Sequence, residues 1–285
     1  MQLILGTANL GSIYSLNQKN KIKKNFFFNI IKFAIKNKIK TFDTAPKYKN
    51  AEKILGEFNY NKLNIITKIS NVNHKDLKKK IFNEILESKK KLKVTKIYGL
   101  LIHDINFFRK NNSKQITKIL AEIKKKGIVK KIGFSVYDPR DIDFILKFIK
   151  PDLVQLPLSL FDRRFVLTKK IKKLHSMGIK VHVRSIFMRG VLLADYQKIP
   201  KELNNFKSYL AKLNKWCNQN KTTKLQATVN YIKTIKNIDA VVIGVDNTDQ
   251  LSKIILAFKN SSTKFPQNIN LNIPKKYLDI RKWKI

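Results

Sequence analysis

Along the chain, short apolar runs rich in β-branched residues alternate with longer stretches whose apolar positions recur at helical spacing. The runs are LILGT (3–7), IKTFDT (39–44), LNIITKI (63–69), KIYGLLIH (96–103), VKKIGFSV (129–136), DLVQLPL (152–158), IKVHVRSI (179–186) and DAVVIGV (239–245). Helices are predicted over 23–37, 50–58, 75–91, 114–126, 139–148, 165–177, 203–219, 224–236 and 247–259. Strands apolar on both faces and separated by helices predict a parallel sheet covered on its outside. Eight such units suit a closed (β/α)₈ TIM barrel better than an open sheet. No Pro/Gly/Ser-rich linker divides residues 1–285, so a single α/β domain is expected, with 260–285 as a C-terminal tail over or beside the barrel. The Phe26–Phe28 cluster and Cys217, beside Trp216, read as core packing.

Composition changes this picture little: 43% hydrophobic and 10% aromatic residues are those of an ordinary globular chain and exclude disorder and a coiled coil. A lone cysteine cannot form an intramolecular disulfide, and with four histidines it cannot build the usual structural zinc site. No apolar stretch is long enough to span a membrane and the N-terminus has no basic leader, so a reducing, cytoplasmic setting is expected. Charge is the unusual quantity, 60 basic against 19 acidic residues for a net +41. Only seven of the basic residues are arginine, and the chain is also rich in Ile and Asn and poor in Gly and Pro, the signature of A/T-rich codon usage. Arginine is the better fork for phosphates and bases. Lysine runs such as 21–25 and 78–93 therefore read as hydrated helix faces, and no specific nucleic-acid partner is expected, only salt-sensitive attraction to polyanions.

In a (β/α)₈ barrel the catalytic groups gather at the C-terminal ends of the strands. Here those ends carry Asp43, Lys68, His103, Ser135, Gln155 and Arg184 in turn, with Gly244 and Val245 leading out of the eighth strand and Tyr48 on the loop after the second. A free phenol is a weak acid at neutral pH, and a neighbouring ammonium such as Lys68 stabilises its phenolate. Asp43 would hold that lysine charged, and His103 would hydrogen-bond a carbonyl oxygen beside Tyr48. Taken singly, Asp43 is a loop cap, Lys68 a strand-end lysine, His103 a structural histidine like His74, His175 and His182, Ser135 a turn hydroxyl, Gln155 a buried amide and Arg184 an ion-pair partner. Four concordant positions favour a proton-donating site for carbonyl reduction. No nucleophile elbow, metal-ligand cluster or P-loop is present, so the electrons are assigned to a bound nicotinamide cofactor.

The segments TFDTAPKYKNAEKILG (41–56), ITKIS (66–70), LLIHD (100–104), IGFSVYDP (132–139), VQLPLSLFDRR (154–164), VRSIFMRGVLL (183–193) and VVIGVDNTDQL (241–251) resemble, in order and over nearly the whole chain, the aldo-keto reductases. The chain is most similar to short bacterial members lacking the N-terminal hairpin, a group often associated with surface-sugar biosynthesis. The resemblance implies Tyr48 as general acid, Lys68 and Asp43 as its tuning pair and His103 as the residue orienting the carbonyl. It implies that Ser135 and Gln155 hold the nicotinamide carboxamide and that Arg184 and Ser185 adjoin the ring, with Arg184 where many relatives have a stacking aromatic. Gly244, Val245, Asn247 and Gln250 match the loop at the adenosine end. Departures are Lys49 and Asn50 after the tyrosine, Val136 where an amide is frequent, and Gly244 and Gln250 where cations often clamp the 2′-phosphate. Asp246 and Asp249 stand nearby; Lys253 and the general positive field place NADP(H) ahead of NAD(H).

The expected function is reduction of an aldehyde or ketone, sugar-derived substrates included, to an alcohol. The alternative is a non-catalytic nicotinamide-binding barrel acting as a sensor or regulator. Phe107, Phe108, Phe187, Tyr277 and Trp283, on loops after the fourth and seventh strands and on the tail, are the expected substrate-pocket residues. Substrate identity and oligomeric state are left open.

Overall fold

The computed structural model describes residues 1–11, 16, 22–58, 63–69, 76–260, 262, 264–267 and 273–283; Ser70, His74 and parts of the tail lie outside them. Eight parallel strands close into a barrel: β1 (Gln2–Gly6), β2 (Thr41–Asp43), β3 (Asn64–Ile69), β4 (Ile97–Ile102), β5 (Val129–Ser135), β6 (Leu153–Pro157), β7 (Lys180–Arg184) and β8 (Ala240–Ile243). Closure is made by β1 against β8, with Gln2 opposite Ala240 and Leu5 opposite Ile243. Seven of the strands lie within a predicted run, and β1 begins one residue before its run, at Gln2.

The apolar residues serve two cores. Ile4, Ile66, Leu101, Leu153 and Ala240 fill the interior of the cylinder, whereas the larger cluster packs between the outer faces of the strands and the helices. The interior is narrow: a Cβ on Gly133 would stand 2.4 Å from the Leu153 carbonyl oxygen, so only glycine fits where β5 faces β6. The helix Leu77–Leu92 shows how the lysine runs are accommodated. Asp76 caps it by accepting from Lys79 N at 2.9 Å, and Ile81, Ile85 and Leu92 face inward while most of its lysines point to water.

Three expectations need correction. The helix predicted over 165–177 is two helices, Arg164–Leu167 and Lys170–Ser176, interrupted where the Thr168 hydroxyl donates to Arg164 O at 2.7 Å and Lys169 turns left-handed at φ 55°. The segment predicted as helix over 203–219 begins as a tighter 3₁₀ turn, Lys201–Phe206, before the α-helix Lys207–Gln219. Of the phenylalanine cluster, Phe27 is buried but Phe26 is 64% exposed, because successive helical residues are turned about 100° apart. Among the described residues no helix is long and apolar enough to cross a membrane, and no His/Cys/Asp/Glu cluster could hold a metal ion.

Candidate active site

The C-terminal rim holds the predicted polar groups together. Asp43, the last residue of β2, and Lys68, next to last in β3, are almost wholly buried, with Lys68 Nζ 2.6 Å from Asp43 Oδ1. The ammonium also donates to Thr44 O at 2.9 Å, and Gln155 Nε2 on β6 donates to the other Asp43 oxygen at 2.8 Å. Buried ions persist only when so paired and hydrogen-bonded. Tyr48 is delivered by the one-turn helix Pro46–Tyr48, with Lys68 Nζ 5.2 Å from its ring centre. His103, one residue beyond β4, meets the same ring edge-on, the two centres 6.0 Å apart. Phenol, ammonium, carboxylate and imidazole, distant in sequence, thus converge at one end of the cylinder.

Burial and neighbouring charge shift the titration of Tyr48 and His103. Burial, then the negative charge of Asp43, pushes the Tyr48 phenol well above its ordinary range, with Arg184 pulling the other way. The phenol therefore keeps its proton at rest, with the Lys68 ammonium paired to Asp43 at contact distance. Burial pushes His103 down to about 2, and Lys68, Lys47, Arg184 and Arg281 add to the shift, so its imidazole is neutral. Its Nδ1 is buried and has no partner among the described residues.

A cleft of about 250 Å³ opens beside this cluster. Its walls include Asp43, Tyr48, Arg184, Ser185, Gly244 and Gln250 from the sequence-derived set. Lys68, Ser135 and Gln155 are buried and do not line it. Val245 is buried in the core, and Asn247 caps the helix Thr248–Lys259 by accepting from Gln250 N at 2.8 Å, so neither contributes to the wall. The sequence reading missed Asn9, whose side chain donates to Asp246 at 2.6 Å, and Arg189; both line the cleft. Asn9 lies just beyond the first apolar run and Arg189 within a family-like segment, but neither stands at a strand end, so neither carries the signal that marks the other groups.

Of the expected pocket aromatics only Phe187 lines the cleft. Phe107 and Phe108 are buried, Phe108 packing on Phe134, Phe144 and Phe148, because their helix, Ile105–Lys110, turns them into the core. Tyr277 and Trp283 pack on Phe206, a correction with the same cause: apolar rings on the tail are better buried against each other than held in an open mouth.

The residues present fit a nicotinamide dinucleotide. Gln155 Oε1 is a buried acceptor without a partner among the described residues, suited to a carboxamide N–H. Gly244 keeps the wall low, since a Cβ there would stand 3.3 Å from Asn9 Oδ1. Arg189 and Lys253 bring positive charge to the walls for the phosphates.

A closed parallel barrel whose rim combines these four groups beside a cleft fits a barrel oxidoreductase. The particular family follows from comparison: the model of the aldo/keto reductase family matches residues 2–268, and the chain belongs to that family. No curated protein matches it in sequence. Among solved structures it is similar to an aldo-keto reductase, AKR11C1, from Bacillus halodurans, with a TM-score of 0.75 and 18% identity over 92% of this chain and 88% of that one. It is also similar to the glycerol dehydrogenase AKR11B4 from Gluconobacter oxydans, with a TM-score of 0.72 and 19% identity over 92% and 87% of the two chains. Members of the family are oxidoreductases of small carbonyl compounds that use nicotinamide cofactors.

Proposed function

We propose that this protein reduces an aldehyde or ketone to an alcohol with a nicotinamide cofactor, Tyr48 giving the proton. The observation that carries the reading is the Lys68 ammonium, fixed by Asp43 and Thr44 beneath the Tyr48 ring, with His103 at the ring's edge. The bound reduced nicotinamide supplies the hydride. A phenol raised by burial is fully protonated at neutral pH, so the acid is loaded before reaction. The alkoxide that forms as the carbonyl is reduced is a stronger base than a phenolate and takes the proton, while Lys68 and Arg184 stabilise the phenolate left behind. Neutral His103 donates an N–H to the carbonyl oxygen without itself giving up a full proton. Gln155, tied to Asp43 through its nitrogen, keeps its oxygen for the carboxamide, with Ser135 beside it in register on β5.

The same reading takes residues 1–285 as one working unit in the cytoplasm and places NADP(H) ahead of NAD(H). Arg189 and Lys253 bring two cations to the cleft, whereas the opposing Asp246 carboxylate is already engaged by Asn9 and Gln250. Loss of nicotinamide absorbance with a panel of aldehydes and ketones tests the activity. In Tyr48→Phe we expect kcat to fall about 10²- to 10⁴-fold with the cofactor-induced thermal shift retained. Equal turnover in wild type and variant would end the assignment, and a larger thermal shift with NAD than with NADP would reverse the cofactor order.

A further inference from the structure

The cleft accounts for only part of the charge at the rim. Lys47, Tyr137 and Arg281 are not among its walls. Arg281 belongs to the C-terminal turn Ile280–Lys282, and its guanidinium carbon lies 3.4 Å from the centre of the Tyr137 ring. That of Arg184 lies 3.9 Å from the same centre. Two guanidinium groups at such distances cannot share a face, so the ring is held between them. The arrangement forces two like charges close together, which costs energy unless a negative group offsets it.

The protein supplies only part of that offset. Arg281 uses Nε and Nη2 to bind both oxygens of Asp279, at 2.8 and 2.7 Å, leaving its Nη1 edge over. Asp104, the cap of the helix Ile105–Lys110, is the other carboxylate whose charge reaches it. Arg184 meets only neutral acceptors, Val136 O at 3.1 Å and Ser185 Oγ at 3.5 Å. Neither Arg184 nor Lys47 forms an ion pair among the described residues, and Asp43 is engaged by Lys68. Lys47, Arg184 and Arg281 all lower the His103 pKa, so their positive charge is felt at the imidazole that meets Tyr48. The phosphates of a dinucleotide have Arg189 and Lys253 on the cleft walls, so the surplus at the rim faces the other ligand.

We propose that the carbonyl substrate carries an anionic group, a carboxylate or a phosphate ester, bound by the free edge of Arg281 with Arg184 and Lys47 in support, so that its carbonyl is presented to Tyr48 and His103. This rests on the carbonyl-reductase reading and assigns Arg281 as the residue that sets substrate class. Arginine is suited to the task, because its planar fork pairs with either anion and stacking on Tyr137 fixes its orientation.

The test compares charged and neutral partners of similar size with the NADPH-loaded protein. Succinic semialdehyde is set against butyraldehyde, and glyceraldehyde 3-phosphate against glyceraldehyde. One anionic partner is expected to exceed its neutral counterpart in kcat/KM by at least about 10-fold, and which pair shows it identifies carboxylate or phosphate. In Arg281→Gln that preference should shrink about 10- to 100-fold, chiefly through KM, and Arg281→Lys should restore part of it. A second arm needs no turnover: quenching of bound NADPH fluorescence by succinate and by glycerol 3-phosphate, in wild type and in Arg281→Gln. Binding that depends on Arg281 without reduction of any aldehyde would uphold the anion site while sinking the reductase reading. No preference for either anionic partner, or anion binding and preference that survive in Arg281→Gln, would overturn the proposal.

Discussion

The barrel carries a lysine–aspartate pair at each end, and the two could hardly differ more. At the mouth, Lys68 and Asp43 lie 2.6 Å apart with side chains only 1% and 5% exposed. At the floor, Lys180, the first residue of β7, lies 2.8 Å from Asp239, just before β8, with exposures of 54% and 24%. Asp239 also accepts from Val181 N at 2.9 Å, so it helps register two strands. The floor pair is solvated, which screens its attraction. Burial shields the mouth pair from solvent, and there each charge depends on the other and on Thr44 and Gln155. Identical chemistry is a latch at one end and a reaction device at the other, because the barrel differs in who else is near and how much water is left.

Breaking the mouth pair should have the largest effect. Lys68→Met leaves the Asp43 carboxylate buried and unpaired, so we expect about 3–5 kcal/mol of destabilisation in denaturant unfolding and loss of at least about 10²-fold in kcat. The double variant Asp43→Asn/Lys68→Met should recover much of the stability but none of the activity; recovery of both would show the pair to be structural only. His103→Gln should cost about 10- to 100-fold in kcat. Because the imidazole is held down at about 2, neither wild type nor this variant should show a His103 inflection in kcat between pH 5 and 8. Reduction should persist into alkaline solution, since the raised Tyr48 phenol keeps its proton there. A wild-type inflection near pH 6.5 that vanishes in the variant would contradict this protonation state.

Beneath the mouth, His182 sharpens the same comparison. Burial pushes it down to about 4, against the pull of Asp43 and Asp239, and its Nδ1 lacks a partner among the described residues. A histidine whose folded pKa is depressed binds its proton more readily when unfolded. The stability contributed by His182 is therefore expected to fall as pH drops from the unfolded value near ~6.5 toward 4, by about 1.4 kcal/mol per pH unit at most, with His103 adding a slope of the same sign. Unfolding midpoints of His182→Gln should be flatter across that interval, and an unchanged slope would assign the acid sensitivity elsewhere. Lys180→Met completes the series with less than about 1 kcal/mol lost and kcat unaltered. A loss as large as that of Lys68→Met would erase the distinction between the two ends.

Much of this molecule was legible in one dimension. Strand and helix periods are local properties of the chain, so eight β-rich runs and the intervening amphipathic stretches could be counted directly, and right-handed connection of such units leaves few topologies. The polar strand ends were equally plain, because a carboxylate, ammonium or amide closing an apolar run stands out. Places where local reading failed are those where a neighbour distant in sequence decides the outcome. The burial of Phe107 and Phe108 is set by what the segment packs against.

Tertiary structure alone decided where each charge is used. From the chain one can name Lys68, Asp43 and Tyr48, but only closure of the barrel shows the ammonium engaged by the carboxylate at 2.6 Å while the phenol stays protonated above it. Likewise nothing in the residues around Arg281 announces that the tail returns to lay a guanidinium on Tyr137. Periodicity is encoded residue by residue and survives in the bare sequence. Electrostatic partnership falls off with distance and rises with exclusion of water, and both come into being only when the chain is folded.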